Sequence, residues 1–181
     1  MPARFATAVW LSLAGLVGAP AGAGENLPIE AFAGRFEGTG IARDEISKDV
    51  DETVRELAVT IVPEDGGFAL SWSTVLRQGG DPDNPDVREN AHALFFEPTD
   101  RAHVFQGAVE LDPLAGWPFV WARISGNTLT VYSLLVHEDG SYEIQAYDRT
   151  LGAMGMELYF TRVRDGKLVR SVTGKLVKTG G

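Results

Sequence analysis

The sequence predicts an all-β protein, an antiparallel up-and-down meander of about ten strands closed into a barrel, with a short N-terminal helix. Three observations lead there. The pairs Asp65-Gly66, Gly126-Asn127, Asp139-Gly140 and Asp165-Gly166 each sit between apolar-rich runs, and such pairs supply the positive φ of a tight hairpin. The runs between them have strand length, and several alternate apolar with polar residues. A flat meander of that size would also leave two exposed edges, which closure removes. A two-sheet sandwich is the alternative architecture.

The elements follow in order. A short helix is expected over 27–33. Strands are expected over 35–42, 53–62, 68–77, 87–96, 103–107, 119–125, 128–137, 141–151, 156–164 and 167–178. In a meander, alternate connections lie at the same end. The long connections 43–52, 78–86 and 108–118 therefore share one rim, and the Gly66 and Gly126 turns share the other. Long loops on one rim and tight turns on the other predict an open mouth and a closed base. Ligands enter small barrels at such mouths.

Residues 1–23 read as a secretory signal peptide. Arg4 gives a positive start, 5–17 is apolar and uncharged, and Ala21-Gly22-Ala23 matches a small-residue cleavage site. The apolar run is short for a membrane helix, which needs about 20 residues. Residues 24–181 are then expected to form a single β-barrel domain, periplasmic or secreted, with no integral membrane span. The chain has no cysteine, which excludes disulfides, thiolate metal sites and a lipid-anchoring thiol. Its formal charge of −9 becomes −10 when Arg4 leaves with the peptide. Such an acidic chain repels phosphate backbones, so nucleic acid is not an expected partner.

The first strand opens Phe32-Ala33-Gly34-Arg35-Phe36-Glu37-Gly38-Thr39-Gly40. A glycine, an aromatic two residues on, and a further glycine at the start of a secreted barrel resemble the opening of calycin barrels, the superfamily of lipocalins and fatty-acid-binding proteins. The family aromatic is normally tryptophan, and Phe36 stands here. The resemblance implies a closed barrel that binds a small hydrophobic molecule. Haem-binding members need an axial histidine, and none of His92, His103 or His137 matches one. No cofactor is expected.

Turn arithmetic gives a register. A two-residue loop at Gly126-Asn127 sets Trp121 opposite Tyr132 and Arg123 opposite Thr130. A two-residue loop at Asp139-Gly140 sets Tyr132 opposite Tyr147 and Thr130 opposite Arg149. Opposed residues share a face. Trp121, Tyr132 and Tyr147 then form one row flanked by Arg123 and Arg149, and the other face is almost wholly aliphatic: Val120, Ala122, Ile124, Leu129, Val131, Ile144 and Ala146. Two readings stay open. Either the aliphatic face is the packed interior, or the aromatic row lines a cavity where the arginines meet an anionic headgroup. An aliphatic face left outside needs a cover such as a second subunit, which brings in a homodimer. In the third strand Phe68, Leu70, Trp72, Thr74 and Leu76 share a face, placing Trp72 inside.

Other motifs carry less. Asp81, Asp83 and Asp86 form an oxygen-rich loop, but two prolines and the absence of EF-hand spacing argue against calcium. Gly38-Thr39-Gly40 lacks the third glycine and the following helix of a dinucleotide site. The histidines show no zinc spacing, and no serine sits in a nucleophile elbow. The sequence marks no catalytic residue. The expected function is binding of a small hydrophobic or amphipathic, anionic ligand, with Trp72, Trp121, Arg123, Tyr132, Tyr147 and Arg149 as its contacts. An envelope protein-interaction module with a filled barrel, and a cofactor-free isomerase-like enzyme, are the alternatives.

Overall fold

The computed structural model describes residues 25–46, 52–77 and 87–181. The leader-like segment 1–23 and the Asp81, Asp83 and Asp86 loop lie outside these residues. Ten antiparallel strands follow one another: β1 (Gly34–Asp44), β2 (Glu52–Glu64), β3 (Gly67–Arg77), β4 (Val87–Pro98), β5 (Val104–Gly107), β6 (Phe119–Ser125), β7 (Thr128–Val136), β8 (Tyr142–Gly152), β9 (Gly155–Arg164) and β10 (Lys167–Gly180). Each pairs with its neighbours in sequence, and β1 pairs with β10, so the sheet is a closed barrel with no free lateral strand. The expected N-terminal helix is a 3-10 turn, Ile29–Phe32.

The turns decide which face of each strand points inward. Asp65 and Gly66 have φ of 49° and 80°, and Asp165 and Gly166 have 48° and 75°. Positive φ at both central residues defines the two-residue turn that matches strand twist. Gly126 has φ 59°, and Ser125 faces Thr128 as expected.

The Asp139-Gly140 turn is built differently. Only Gly140 has positive φ, at 80°. The Gly140 amide donates to the His137 carbonyl, and the His137 amide donates to the Ser141 carbonyl. This is a three-residue loop, a type I turn followed by a left-handed glycine. The Asp139 carboxylate caps it, accepting from the Ser141 amide at 2.9 Å and the Ser141 hydroxyl at 2.6 Å.

One extra loop residue turns β8 over. Tyr132 faces Ala146, Val131 faces Tyr147, Leu129 faces Arg149 and Thr130 faces Asp148. The expected Tyr132–Tyr147 and Thr130–Arg149 pairs are therefore not formed. Ala122, Ile124, Leu129 and Val131 are buried inside, where Glu143, Gln145, Tyr147 and Arg149 join them. Ile144 and Ala146 share the outer face with Trp121 and Tyr132. With the aliphatic face of β6 and β7 inside, that face does not require a second subunit to cover it.

The base half is filled. Phe36, Val59, Ile61, Phe68, Leu70, Phe96, Ile124, Leu129, Met156 and Leu176 are all at most 3% exposed and form one cluster with Ile29 and Phe32 from the 3-10 turn. That turn plugs the base and is tied to it. The Gly126 amide donates to Asn26 Oδ1 at 2.7 Å, and the Leu27 amide donates to the Gly126 carbonyl at 2.9 Å. Phe36, the aromatic of the calycin-like opening, is buried at 2% exposure within this packing.

Candidate functional site

Above the filled base lies a cavity of about 310 Å3, open toward the rim that carries the long connections. Inward positions recur every second residue along a strand, and this rule accounts for all of the lining except Ala58 and Ser73. β2 contributes Arg55, Leu57 and Val59. β3 contributes Trp72 and Thr74, and β4 contributes Asn90 and His92. β8 gives Gln145 and Tyr147, β9 gives Leu158, Phe160 and Arg162, and β10 gives Arg170 and Val172.

The floor is aromatic. Trp72 and Tyr147 meet with centroids 5.5 Å apart, Tyr147 meets Phe160 at 4.6 Å, and His92 stacks on Trp72 at 5.0 Å. The wall is low beside His92. β5 has four residues and pairs with β4 only from Phe96 to Pro98, so the mouth half of β4 is exposed.

The upper wall is cationic. Arg162 and Arg170 stand directly opposite each other in the β9–β10 ladder. Like charges so placed repel. Arg55 faces the same space. Burial lowers its pKa, and the positive charge of Arg170 adds to the effect. Arg55 Nε is buried without a hydrogen-bond partner.

Among the described residues Glu143, only 2% exposed, pairs with Arg162, and the exposed Asp44 stands directly opposite Arg170 in the β1–β10 ladder. Glu143 Oε2 lies 2.6 Å from Arg162 Nη2, as an ion pair rather than a well-directed hydrogen bond. Burial raises the Glu143 carboxyl, but Arg162 and the Gln145 amide outweigh it and hold its pKa below the ordinary value. Gln145 Nε2 donates to Glu143 Oε1 at 2.6 Å, and the Tyr147 hydroxyl donates to Gln145 Oε1 at 2.8 Å. The chain Glu143–Gln145–Tyr147 is thus fixed along the inward face of β8. Burial raises the Tyr147 pKa, so the phenol stays protonated and can donate.

Beneath the floor sits Arg149, 0% exposed. Its guanidinium carbon is 5.7 Å from the Trp72 ring centre and 5.6 Å from that of Tyr147. Burial lowers its pKa to about 10, a shift that Tyr147 and Asp148 oppose only in part.

Of the six expected contacts, the structure brings Trp72, Tyr147 and Arg149 together inside. Trp121, Arg123 and Tyr132 are on the outer face, where Trp121 and Tyr132 stack at 4.9 Å. Arg55, Arg162 and Arg170 were not among the expected contacts. All three were within reach of the period-2 rule: Arg55 continues Leu57, Val59 and Ile61, Arg162 continues Met156, Leu158 and Phe160, and Arg170 continues Val172, Gly174 and Leu176. The bulge between Leu168 and Arg170 shifts the count only on the N-terminal side of Arg170.

No family model matches the chain, and no curated protein matches it. Among solved structures the chain is similar to a protein of unknown function from the DUF3598 family of Nostoc punctiforme, at 15% identity and a TM-score of 0.57, covering 91% of this chain. The chain spans about half, 54%, of that protein. At this identity the likeness concerns the fold.

Proposed function

We propose that this barrel is an exported carrier of a small amphipathic anion, whose charged group sits at the mouth and whose apolar part lies on the aromatic floor. The observation that carries this reading is the set of Arg55, Arg162 and Arg170 around one cavity, beside which the one buried carboxylate among the described residues is Glu143. In an acidic chain this local excess of positive charge is opposed to the overall sign. Guanidinium groups suit carboxylate, sulfonate or phosphate oxygens. Trp72, Tyr147, Phe160 and Leu57 offer apolar surface directly below them. Export rests on the leader-like residues 1–23. N-terminal mass spectrometry is expected to find a mature chain starting near Gly24, and intact Met1 in the cytoplasm overturns it.

The binding test uses 8-anilinonaphthalene-1-sulfonate, an aromatic monoanion that fluoresces in apolar surroundings. The parent is expected to bind it saturably. The Arg55→Gln/Arg170→Gln variant is expected to bind at least about tenfold more weakly with an unchanged far-ultraviolet circular dichroism spectrum. Glu143→Gln, which removes the competing carboxylate, is expected to bind more tightly. Equal affinity in parent and arginine variant overturns the reading.

A second reading rests on the outer face, where Trp121 and Tyr132 stack and Phe119 and Trp117 are exposed. These side chains suit a protein-binding surface. Trp121→Ala and Tyr132→Ala are expected to leave the dye titration unchanged, and their loss of binding would move the ligand to that face.

A further inference from the structure

We infer that the charged end of the ligand is a dianionic phosphate monoester, held by Arg55, Arg162 and Arg170 at the mouth, with its apolar tail on the floor. The inference rests on the carrier reading above and names the ligand class.

The charge around the cavity is the first argument. Among the described residues that line it there are three arginines and no carboxylate. Glu143, beside the lining, answers Arg162. Two guanidinium groups remain, since no ion pair or hydrogen bond engages the Arg55 or Arg170 side chain among the described residues. Asp44 stands opposite Arg170 in the β1–β10 ladder, but it is exposed, and its Oδ1 accepts from the Ile46 amide at 3.0 Å. Two half-buried cations in one space repel each other, and a ligand with two negative charges relieves both. A carboxylate or a sulfonate brings one charge. A phosphate monoester brings about 1.5–2 at neutral pH.

The placement of the donors is the second argument. Arg55 comes from β2, Arg162 from β9 and Arg170 from β10, so the three approach the cavity from different strands. Arg55 Nε and Arg162 Nε are both buried without a hydrogen-bond partner. Arg162 spends Nη2 on Glu143 and keeps Nε for another acceptor. Donors withdrawn from water and left unpaired are costly, and bonds to ligand oxygens offset that cost. A carboxylate has two oxygens in one plane and matches a single guanidinium fork. A phosphate monoester has three terminal oxygens set tetrahedrally, which separate guanidinium groups can share. Below them Trp72, Tyr147, Phe160 and Leu57 line the same space. The cavity of about 310 Å3 is at the low end of the usual ligand-pocket range, which suits one short apolar tail.

The test is displacement of the bound dye from the full chain by octyl phosphate, octyl sulfate and inorganic phosphate. Octyl sulfate has the same tail and a tetrahedral head, but carries one charge at every pH used. At pH 8 octyl phosphate is a dianion, because its second ionisation is near pH 6, and it is expected to compete at least about tenfold better than octyl sulfate. At pH 5, where both are monoanions, the ratio is expected to fall toward one. Both compounds meet the same protein at each pH, so changes in the protein itself cancel from the ratio. Inorganic phosphate, which leaves the floor uncovered, is expected to compete at least about tenfold more weakly than octyl phosphate. In Arg170→Gln the ratio at pH 8 is expected to approach one, while the dye still binds. If the parent binds the dye and prefers neither octyl compound at pH 8, the inference falls and the carrier reading stands. If inorganic phosphate competes as well as octyl phosphate, the ligand is free phosphate without a tail and the inference falls. If the preference survives in Arg170→Gln, the second charge is not met there and the inference also falls. Failure of the parent to bind the dye overturns the carrier reading itself. The comparisons on the parent need no variant, so a poorly folding Arg170→Gln leaves them decisive.

Discussion

The Trp72 and Tyr147 rings meet across the lumen, 5.5 Å between centroids, from strands β3 and β8. In the closed order of ten strands these two are five steps apart in either direction, so the contact joins opposite walls. It divides the interior into a filled base and an open cavity. Trp72 is also the tryptophan that faces this cavity among the described residues, since Trp117 and Trp121 are outside. Dodecanoate added to the protein is therefore expected to change tryptophan emission in the parent and in Trp117→Phe and Trp121→Phe. The change is expected to vanish in Trp72→Phe. The reverse pattern would place the bound molecule on the outer surface.

Two paired glycines on the closing β1–β10 seam make room for one side chain. Gly40 on β1 and Gly174 on β10 are directly paired, and the Leu57 side chain fills the space their missing Cβ atoms leave. A Cβ at Gly40 would lie 2.7 Å from Leu57 Cδ1 and 2.8 Å from the Thr173 carbonyl, and one at Gly174 would lie 2.6 Å from Leu57 Cδ1. Gly40→Ala and Gly174→Ala are each expected to cost about 1–3 kcal/mol, the range for overpacking a filled interior. Part of the loss is expected to return when Leu57 is also shortened to alanine, because the two sites share one space. Denaturant titration reads both effects, and additive losses would contradict the shared-space account.

The register of β8 can be checked chemically because the chain has no cysteine of its own. Opposed residues in antiparallel strands alternate between hydrogen-bonded and non-hydrogen-bonded positions, and the latter bring Cβ atoms close enough for a disulfide. Cysteines are placed at Tyr132 and Ala146 in one variant and at Val131 and Tyr147 in another. One of these pairs is expected to cross-link on mild oxidation. Cysteines at Tyr132 and Tyr147 point to opposite faces and are expected not to. Rapid cross-linking of that last pair would restore the two-residue turn at Asp139-Gly140.

That turn marks how far the sequence was legible. Strand positions and closure followed from turn pairs and alternation, both local properties of the chain. Asp-Gly, however, is compatible with two loops. It serves a two-residue turn when aspartate adopts positive φ, as at Asp65 and Asp165, and a three-residue turn when only glycine does, as at Gly140. The choice at Asp139 rests on the Asp139–Ser141 bonds and on the apolar interior of β6 and β7, which the sequence does not display as pairings. One residue of register exchanged the faces of β8 and split the expected site. Trp72 was placed correctly because its strand alternates without interruption. The cationic mouth went unrecognised because its members come from β2, β9 and β10, brought together only by closure.

Glu143 provides the last prediction, through its pKa. Burial raises this carboxyl, but Arg162 and the Gln145 amide prevail and lower it below the ordinary 4.5. A carboxyl whose pKa is lower in the folded than in the unfolded state releases its proton more readily when folded. Its contribution to stability is therefore complete above the unfolded value and is lost as pH falls through the folded one. Glu143→Gln removes the negative partner and leaves Arg162 facing Arg170 unopposed. Because Arg162 is 42% exposed, water screens part of this loss, and a cost of about 1–2 kcal/mol at neutral pH is expected. The parent and variant curves should converge as pH drops below 4.5, where the parent carboxyl becomes neutral in turn. Paired urea titrations from neutral pH to below that value measure the difference. A gap that stays constant across the range would mean the ion pair contributes nothing, and the variant's cost would then belong to the hydrogen bond from Gln145 alone.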